Sequence, residues 1–264
     1  MNEVNNTLFI PLYGKSQLSR RGIILNDPMA EKICSSEQFP IRGRSASKWL
    51  AFNMAMRARV FDDWTDAMLS EYPDAVVLHI GCGLDSRCLR VGSCSNWIDC
   101  DFPDVIDIRR KYYTENEHYH MMCVNAADPG QVRTLPDHDT AIVVLEGISM
   151  YLSPQELHAF LQTLQEKYAH VHILMDIYTA FGAKASARKN PVNDVGVTTV
   201  YGIDDIESIL CGLHIRHKAE HFFTPPALIR ELKPLERLIF RLLFTGKMYR
   251  RIYRLLELET AGDD

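Results

Sequence analysis

The stretch AVVLHIGCGLDSR, residues 75–87, decides the fold. Ala75 to Ile80 is short, apolar and β-branched, as a strand buried on both faces should be; Gly81-Cys82-Gly83 then breaks the run, and a helix start is expected from Asp85. Strand, tight turn and helix in that order make the first half of a βα unit. The rhythm repeats downstream: Trp97 to Asp101 (WIDCD) reads as a second strand, and Pro103 to Tyr113 as a helix with proline in its first turn. Tyr119 to Val124, Ala141 to Leu145 and His170 to Ile177 read as three more strands. Ser153-Pro154-Gln155-Glu156 opens a helix with a capping box that reaches to about Tyr168. Alternation of this kind predicts an α/β fold with a mostly parallel sheet covered by helices.

Upstream, Ser47 to Ser70 carries Trp49, Leu50, Met54, Ala58, Phe61, Trp64 and Met68 at helical spacing, so a long amphipathic helix should cover one sheet face or cap the site. Downstream, Thr179 to Tyr201 contains Gly, Pro and Asn and is expected to be a mobile insertion over a pocket. Asp204 to Leu210 and Arg237 to Phe244 read as helices, and Arg251 to Glu259 as a final edge strand. The expected organisation is a single domain over 1–264, with an N-terminal helical cap at 1–72, a core at 73–264 and a lid insertion at 179–203.

Composition narrows the function classes. With 264 residues, 47% hydrophobic and 24% charged, the chain suits one globular core rather than a disordered or fibrous protein. A formal net charge of -5 argues against a nucleic-acid surface built on bulk positive charge. No run approaches the roughly 18 apolar residues of a membrane span, and Met1 to Asn6 is polar without a basic-then-apolar leader, so a cytoplasmic protein is expected. Seven cysteines with no CxxC pair indicate reduced, packed thiols and no zinc knuckle. His118/His120 and His170/His172 put paired imidazoles on one strand face, but without clustered carboxylates or cysteines no metal is expected.

Gly81 and Gly83 supply a turn at which the backbone can approach a ligand closely. About twenty residues further on, at the end of the second strand, an acid can accept the hydroxyls of a ribose; Asp101 stands there, with Asp99 as a second candidate. A nicotinamide dinucleotide and S-adenosylmethionine both present such a ribose. The third glycine of the dinucleotide fingerprint is Ser86 here, and Asp85 would repel a pyrophosphate, so the dinucleotide is disfavoured. Cys82, between the glycines, reads as a small side chain packed under the turn rather than a nucleophile. Glu146 directly follows a strand, on the carboxyl edge where open α/β sheets bind ligands.

Three ordered blocks, AVVLHIGCGLDSR (75–87), WIDCDFPDVIDIRRK (97–111) and VLEGISMYLSPQEL (144–157), together resemble the leucine carboxyl methyltransferase family, including its polyketide O-methyltransferase branch. Pro11-Leu12-Tyr13-Gly14, Asn26-Asp27-Pro28 and Arg57-Ala58-Arg59 are similar to that family's N-terminal elements. The resemblance implies a class I S-adenosylmethionine-dependent methyltransferase fold, Rossmann-like, with seven strands, an N-terminal helical cap and a lid insertion. It also implies the site. Arg59, with Lys15, would pair with the methionine carboxylate of S-adenosyl-L-methionine; Gly81, Cys82 and Gly83 would line the same moiety; Asp101 would hold the ribose; Glu146 would meet the ammonium group. The Asp-Leu pair that frames the adenine in the family is replaced here by Asn125 and Ala126, with Asp128 further on.

The implied reaction is O-methylation of a small-molecule carboxylate or hydroxyl, such as a polyketide-like metabolite. A protein C-terminus is a less favoured acceptor, and no nucleic-acid or membrane partner is expected. Tyr151 and Tyr201 are the positional candidates for acceptor contacts. Methyl transfer from a sulfonium is an in-line displacement that needs alignment and exclusion of water, so the lack of a Ser/His/Asp or Cys/His set agrees with it. Two rivals stand beside this reading: a nicotinamide-dependent oxidoreductase, and a catalytically silent protein that keeps the fold and the cofactor pocket.

Overall fold

The computed structural model describes residues 8–37, 46–92, 96–189, 200–246, 249 and 251–261. Three helices come first: α1 (Phe9–Arg20), α2 (Pro28–Ser36) and α3 (Lys48–Glu71). Alternating elements follow, namely β1 (Val76–Ile80), α4 (Arg87–Arg90), β2 (Trp97–Asp101), α5 (Pro103–Arg109) and β3 (Tyr119–Cys123). Then come α6 (Pro129–Val132), β4 (Thr140–Leu145), α7 (Pro154–Lys167) and β5 (His170–Tyr178). The chain ends through α8 (Ala180–Lys189), α9 (Glu207–Leu210), β6 (Ile215–His221), α10 (Pro226–Arg230), α11 (Pro234–Phe244) and β7 (Tyr253–Thr260).

The strands form one seven-stranded sheet in the order β3-β2-β1-β4-β5-β7-β6. The first five are parallel, and β7 runs antiparallel to both of its neighbours. β1 pairs with β2 on one side and β4 on the other, so the chain leaves these neighbouring strands in opposite directions along the sheet. That divergence opens a crevice at their carboxyl ends, where Gly81 and Glu146 stand.

Both faces of the central strands are buried. One is covered by α7 and α9 through Leu157, Phe160, Leu161, Leu164, Ile209 and Leu210, the other by α3 through Phe61, Trp64, Met68 and Leu69. Ser153 caps α7 with both halves of the capping box in place, satisfying two otherwise orphaned N–H groups. A third cluster of Phe52, Met56, Leu228, Ile229 and Phe240 ties α3 to α10 and α11. The six described cysteines are free thiols. Among the described residues no helix is long and apolar enough to cross a membrane, and no group of three or more His, Cys, Asp or Glu stands together as metal ligands would.

One expectation from sequence needs correction. Arg251 to Glu259 is not the sheet edge: β7 lies between β5 and β6, with Leu255, Leu256 and Leu258 fully buried. The edge is β6, whose charged sequence IRHKAEH does not read as a strand but suits an edge that must discourage further pairing. The expected insertion after β5 opens with a helix, its alanine-rich start forming α8. Gly182 there packs so closely on Ile252 that a Cβ would stand 2.1 Å from its carbonyl oxygen. Residues 190–199 of the expected lid lie outside the described residues.

Candidate active site

β1 delivers the chain into a turn that only glycine accepts cheaply. Gly81 and Gly83 have φ of 66° and 52°, and a Cβ on Gly81 would fall 2.1 Å from Ile148 Cγ2. Two bonds fix the turn to β2: Cys82 N–H donates to the Cys100 carbonyl at 3.0 Å, and Gly83 N–H to Asp101 Oδ2 at 2.7 Å. Asp101 Oδ1 accepts from Phe102 N–H at 2.8 Å. Burial pushes the Asp101 carboxyl up to about 6 despite these two donors, and no cation forms an ion pair with it among the described residues. Asp99, the alternative acid, is unavailable: two residues deeper in β2, it is held by Arg109, by His79 Nδ1 at 3.0 Å and by Trp97 Nε1 at 3.0 Å.

A cavity of about 550 Å³ opens over this turn, within the roughly 300–1,000 Å³ usual for small-molecule sites. Of the residues singled out from sequence, Lys15, Gly81, Cys82, Gly83, Asp101, Asn125, Ala126, Glu146 and Tyr151 line it. Cys82 is buried, and burial holds its thiol far above the ordinary range, so it is inert as a nucleophile. Asn125 Oδ1 accepts from Ala127 N–H at 3.0 Å, which fixes the side chain at the rim and leaves a second lone pair for another donor.

The structure separates two of the sequence candidates from the rest. Arg59 projects away from the cavity, 43% exposed, bonded to Asp63 at 2.6 Å and to the Ile24 carbonyl at 3.1 Å. Arg57 takes the inward place. Two residues along a helix turn the side chain by about 200°, and Arg57 shares the inward face with Asn53, Phe61 and Trp64. Tyr201 is 37% exposed and does not line the cavity; only its backbone N–H reaches that region, donating to the Met150 carbonyl at 2.8 Å.

Arg57 anchors a charged floor. Its Nε donates to Glu146 Oε1 at 2.9 Å, and its Nη1 to Asp176 Oδ2 at 3.0 Å and to Tyr253 Oη at 2.7 Å. Glu146 also accepts from Arg87, so both of its oxygens are engaged within the protein. Burial alone would raise that carboxyl, but the two guanidiniums hold it down at about 2. Lys15 Nζ lies 2.6 Å from Asp85 Oδ2, while Arg90 binds Asp27 at 2.7 Å, Asp62 at 2.7 Å and Asp85 at 2.9 Å. Asp85 in these pairs, and an α4 of only four residues behind the turn, leave no cradle for a pyrophosphate.

Sequence reasoning did not find Arg57, Asp176 or Tyr253 as site residues. Asp176 carried a signal, an acid inside the apolar run HVHILMDI, whereas Tyr253 in a separate C-terminal strand had none. Beyond the floor the cavity turns aromatic and apolar, with Leu50, Met54, Tyr178, Phe223, Tyr249 and Tyr253 on its walls.

Comparison with known proteins gives this arrangement its class. A duf574 family protein from Streptomyces avermitilis matches with a TM-score of 0.58 at 12% identity, over 81% of this chain and 86% of that one. Magnesium protoporphyrin IX methyltransferase from Synechocystis, solved with bound SAM, gives 0.52 at 11% identity, over 84% and 88%. The fold is the class I, Rossmann-like methyltransferase fold. Within it, the chain belongs to the leucine carboxyl methyltransferase family, whose model matches residues 15–165. Among curated proteins it is 29% identical over 241 residues to the tetracenomycin polyketide synthesis O-methyltransferase of Streptomyces glaucescens, covering 89% of this chain and 88% of that one. It is 28% identical, over 80% of each chain, to the S-adenosyl-L-methionine-dependent methyltransferase dpfgK of Gibberella zeae. The family match includes every lining residue from Lys15 to Tyr151 and ends before Asp176, Phe223, Tyr249 and Tyr253.

Proposed function

We propose that this chain is an O-methyltransferase that uses S-adenosyl-L-methionine to methylate a carboxylate or hydroxyl of a small, ring-containing acceptor. The observation that carries the reading is Asp101: a buried carboxylate on the cavity wall, positioned by Gly83 and Phe102 N–H groups and without an ion-pair partner among the described residues. Such a group is suited to accepting ribose hydroxyls. The rest of the donor set fits the same cofactor. Ala126, Val105 and Phe102 offer an apolar shelf for adenine, Asn125 a polar edge, and the glycine turn room for the chain that carries the sulfur. Lys15 and Arg57 beside Glu146 and Asp85 give a zwitterionic end for an amino-acid moiety, with Arg57 in the place first read for Arg59.

When bound, the cofactor supplies an electrophilic methyl on a sulfonium. The protein's share is alignment and exclusion of water, and the aromatic walls beyond Glu146 supply both by stacking a planar acceptor. A carboxylate acceptor, with a pKa near ~4, arrives ionised and needs no base. A hydroxyl acceptor needs its proton removed. Tyr253 donates to Asp176, so the acceptor's proton can pass to the Tyr253 oxygen as Tyr253 passes its own to the Asp176 carboxylate.

The test is calorimetric titration with S-adenosylhomocysteine and, separately, NADH, followed by transfer of labelled methyl to panels of aromatic carboxylic acids and phenols. Binding of the first ligand alone and label in one panel is the expected result. Binding of NADH alone would overturn the proposal, and binding without transfer to either panel would leave the silent cofactor-binding protein in its place.

A further inference from the structure

Behind the aromatic wall of the site lies a second cavity of about 460 Å³, and Phe223, Tyr249 and Tyr253 line both spaces. Two of these rings are tethered by their hydroxyls. Tyr249 donates to Asn53 Oδ1 at 3.1 Å, and Tyr253 is held by Asp176 and Arg57. Phe223 has no polar anchor; it rests against the other two with ring centroids 5.3 Å and 5.2 Å away. The partition is thus two fixed rings and one held by packing alone.

The polar rim of the second cavity is unevenly satisfied. Glu220 is taken by Arg254 at 2.8 Å and His221 by Glu257 at 2.5 Å. Arg241, an exposed arginine on α11, lies at the mouth of the cavity and pairs with no acid among the described residues. The remaining walls are largely apolar, with Phe222, Phe244 and Ile229 among them. A ring-lined cavity with a guanidinium at its mouth that no carboxylate among the described residues neutralises is matched in shape and charge to a planar aromatic anion.

The geometry points to this second cavity as a distal acceptor subsite, which takes the anionic aromatic end of an elongated acceptor whose reacting oxygen lies in the first cavity. The role as an acceptor subsite rests on the function proposed above; the affinity for an aromatic anion rests only on the cavity and Arg241. No residue of this second cavity falls within the segment that matches the family model; all of them lie in the C-terminal part of the chain.

The probe is 1-pyrenebutyrate, titrated into the full-length protein saturated with S-adenosylhomocysteine and read by fluorescence anisotropy. Saturable binding at one site is expected, weakened at least tenfold by Arg241→Glu and unchanged by Arg133→Glu, an exposed arginine elsewhere on the molecule. Absence of saturable binding, equal affinity in Arg241→Glu, or an equal loss in Arg133→Glu would overturn the proposal. Calorimetry with S-adenosylhomocysteine on the same samples keeps the two readings apart: Arg241-dependent probe binding in a protein that ignores S-adenosylhomocysteine upholds the anion site and sinks the methyl-transfer role.

Discussion

Replacing Arg57 by alanine should be among the most damaging single changes in the charged floor, and replacing Arg59 should be almost silent. Arg57 bridges Glu146 and Asp176, and its side chain is 7% exposed. In the variant Glu146 keeps Arg87, but Asp176 keeps only neutral donors, the Gly147 N–H at 2.7 Å and the Tyr253 hydroxyl. Breaking a buried pair from one side costs about 3 to 5 kcal/mol, whereas an exposed pair such as Arg59–Asp63 contributes about 0 to 1 kcal/mol. For a chain of this size the first figure corresponds to a fall in Tm of roughly 6 to 20 °C.

The loss has a pH signature. Burial already raises the Asp176 carboxyl against the pull of Arg57, and without that cation it rises further. An acid whose folded-state pKa lies above its unfolded value costs stability as pH climbs from the unfolded value through the folded one. The gap between Arg57→Ala and the parent protein should therefore narrow as pH is lowered from 8 to 5. Adding Asp176→Asn to Arg57→Ala should recover part of the loss at pH 8. Urea unfolding followed by circular dichroism at both pH values measures all of this. Equal destabilisation by Arg57→Ala and Arg59→Ala, or a gap that widens on acidification, would contradict the bridging role of Arg57.

Asp101→Ala should weaken S-adenosylhomocysteine binding by about 1.5 to 3 kcal/mol in calorimetry, the worth of hydrogen bonds to a charged acceptor. With the Asp101 carboxyl at about 6 and its ionised form favoured by hydroxyl donors, affinity should fall as pH drops through that value, by about tenfold between pH 7 and pH 5; a flat profile counts against the assignment. Gly81→Ala combines a positive φ with a Cβ 2.1 Å from Ile148, and should cost about 2 to 4 kcal/mol in the same unfolding assay. Leu256→Ala should cost about 2 to 5 kcal/mol because β7 is interior; a loss below ~1 kcal/mol would return that strand to the sheet edge.

Most of the sheet was legible because its five parallel strands are short apolar runs punctuated by Gly, Pro or a cap, features that depend on local sequence alone. The strand-end part of the cavity was legible for a related reason: Gly81, Gly83, Asp101 and Glu146 sit at strand ends, where position along the chain fixes position in space. Long-range pairing was not legible. β6 hides as IRHKAEH because an edge strand carries the charges of a loop, and the interior place of β7 depends on β6 arriving beside it. Arg57 and Arg59 differ by helical phase, which the Arg-Ala-Arg motif cannot show. The apolar positions of α3 put Phe61 and Trp64 on the face that also holds Arg57, and that periodicity was the available clue. Tyr201, read by proximity to an insertion, shows how weakly sequence distance constrains a side chain after a long connection.

A crystal structure of the protein with S-adenosylhomocysteine tests most directly whether Asp101 holds the ribose. Both ribose hydroxyls are expected within about 3.2 Å of the Asp101 carboxylate, with the homocysteine chain crossing the Gly81–Gly83 turn. A ligand bound elsewhere, with Asp101 still bonded only to Gly83 and Phe102, would contradict that placement.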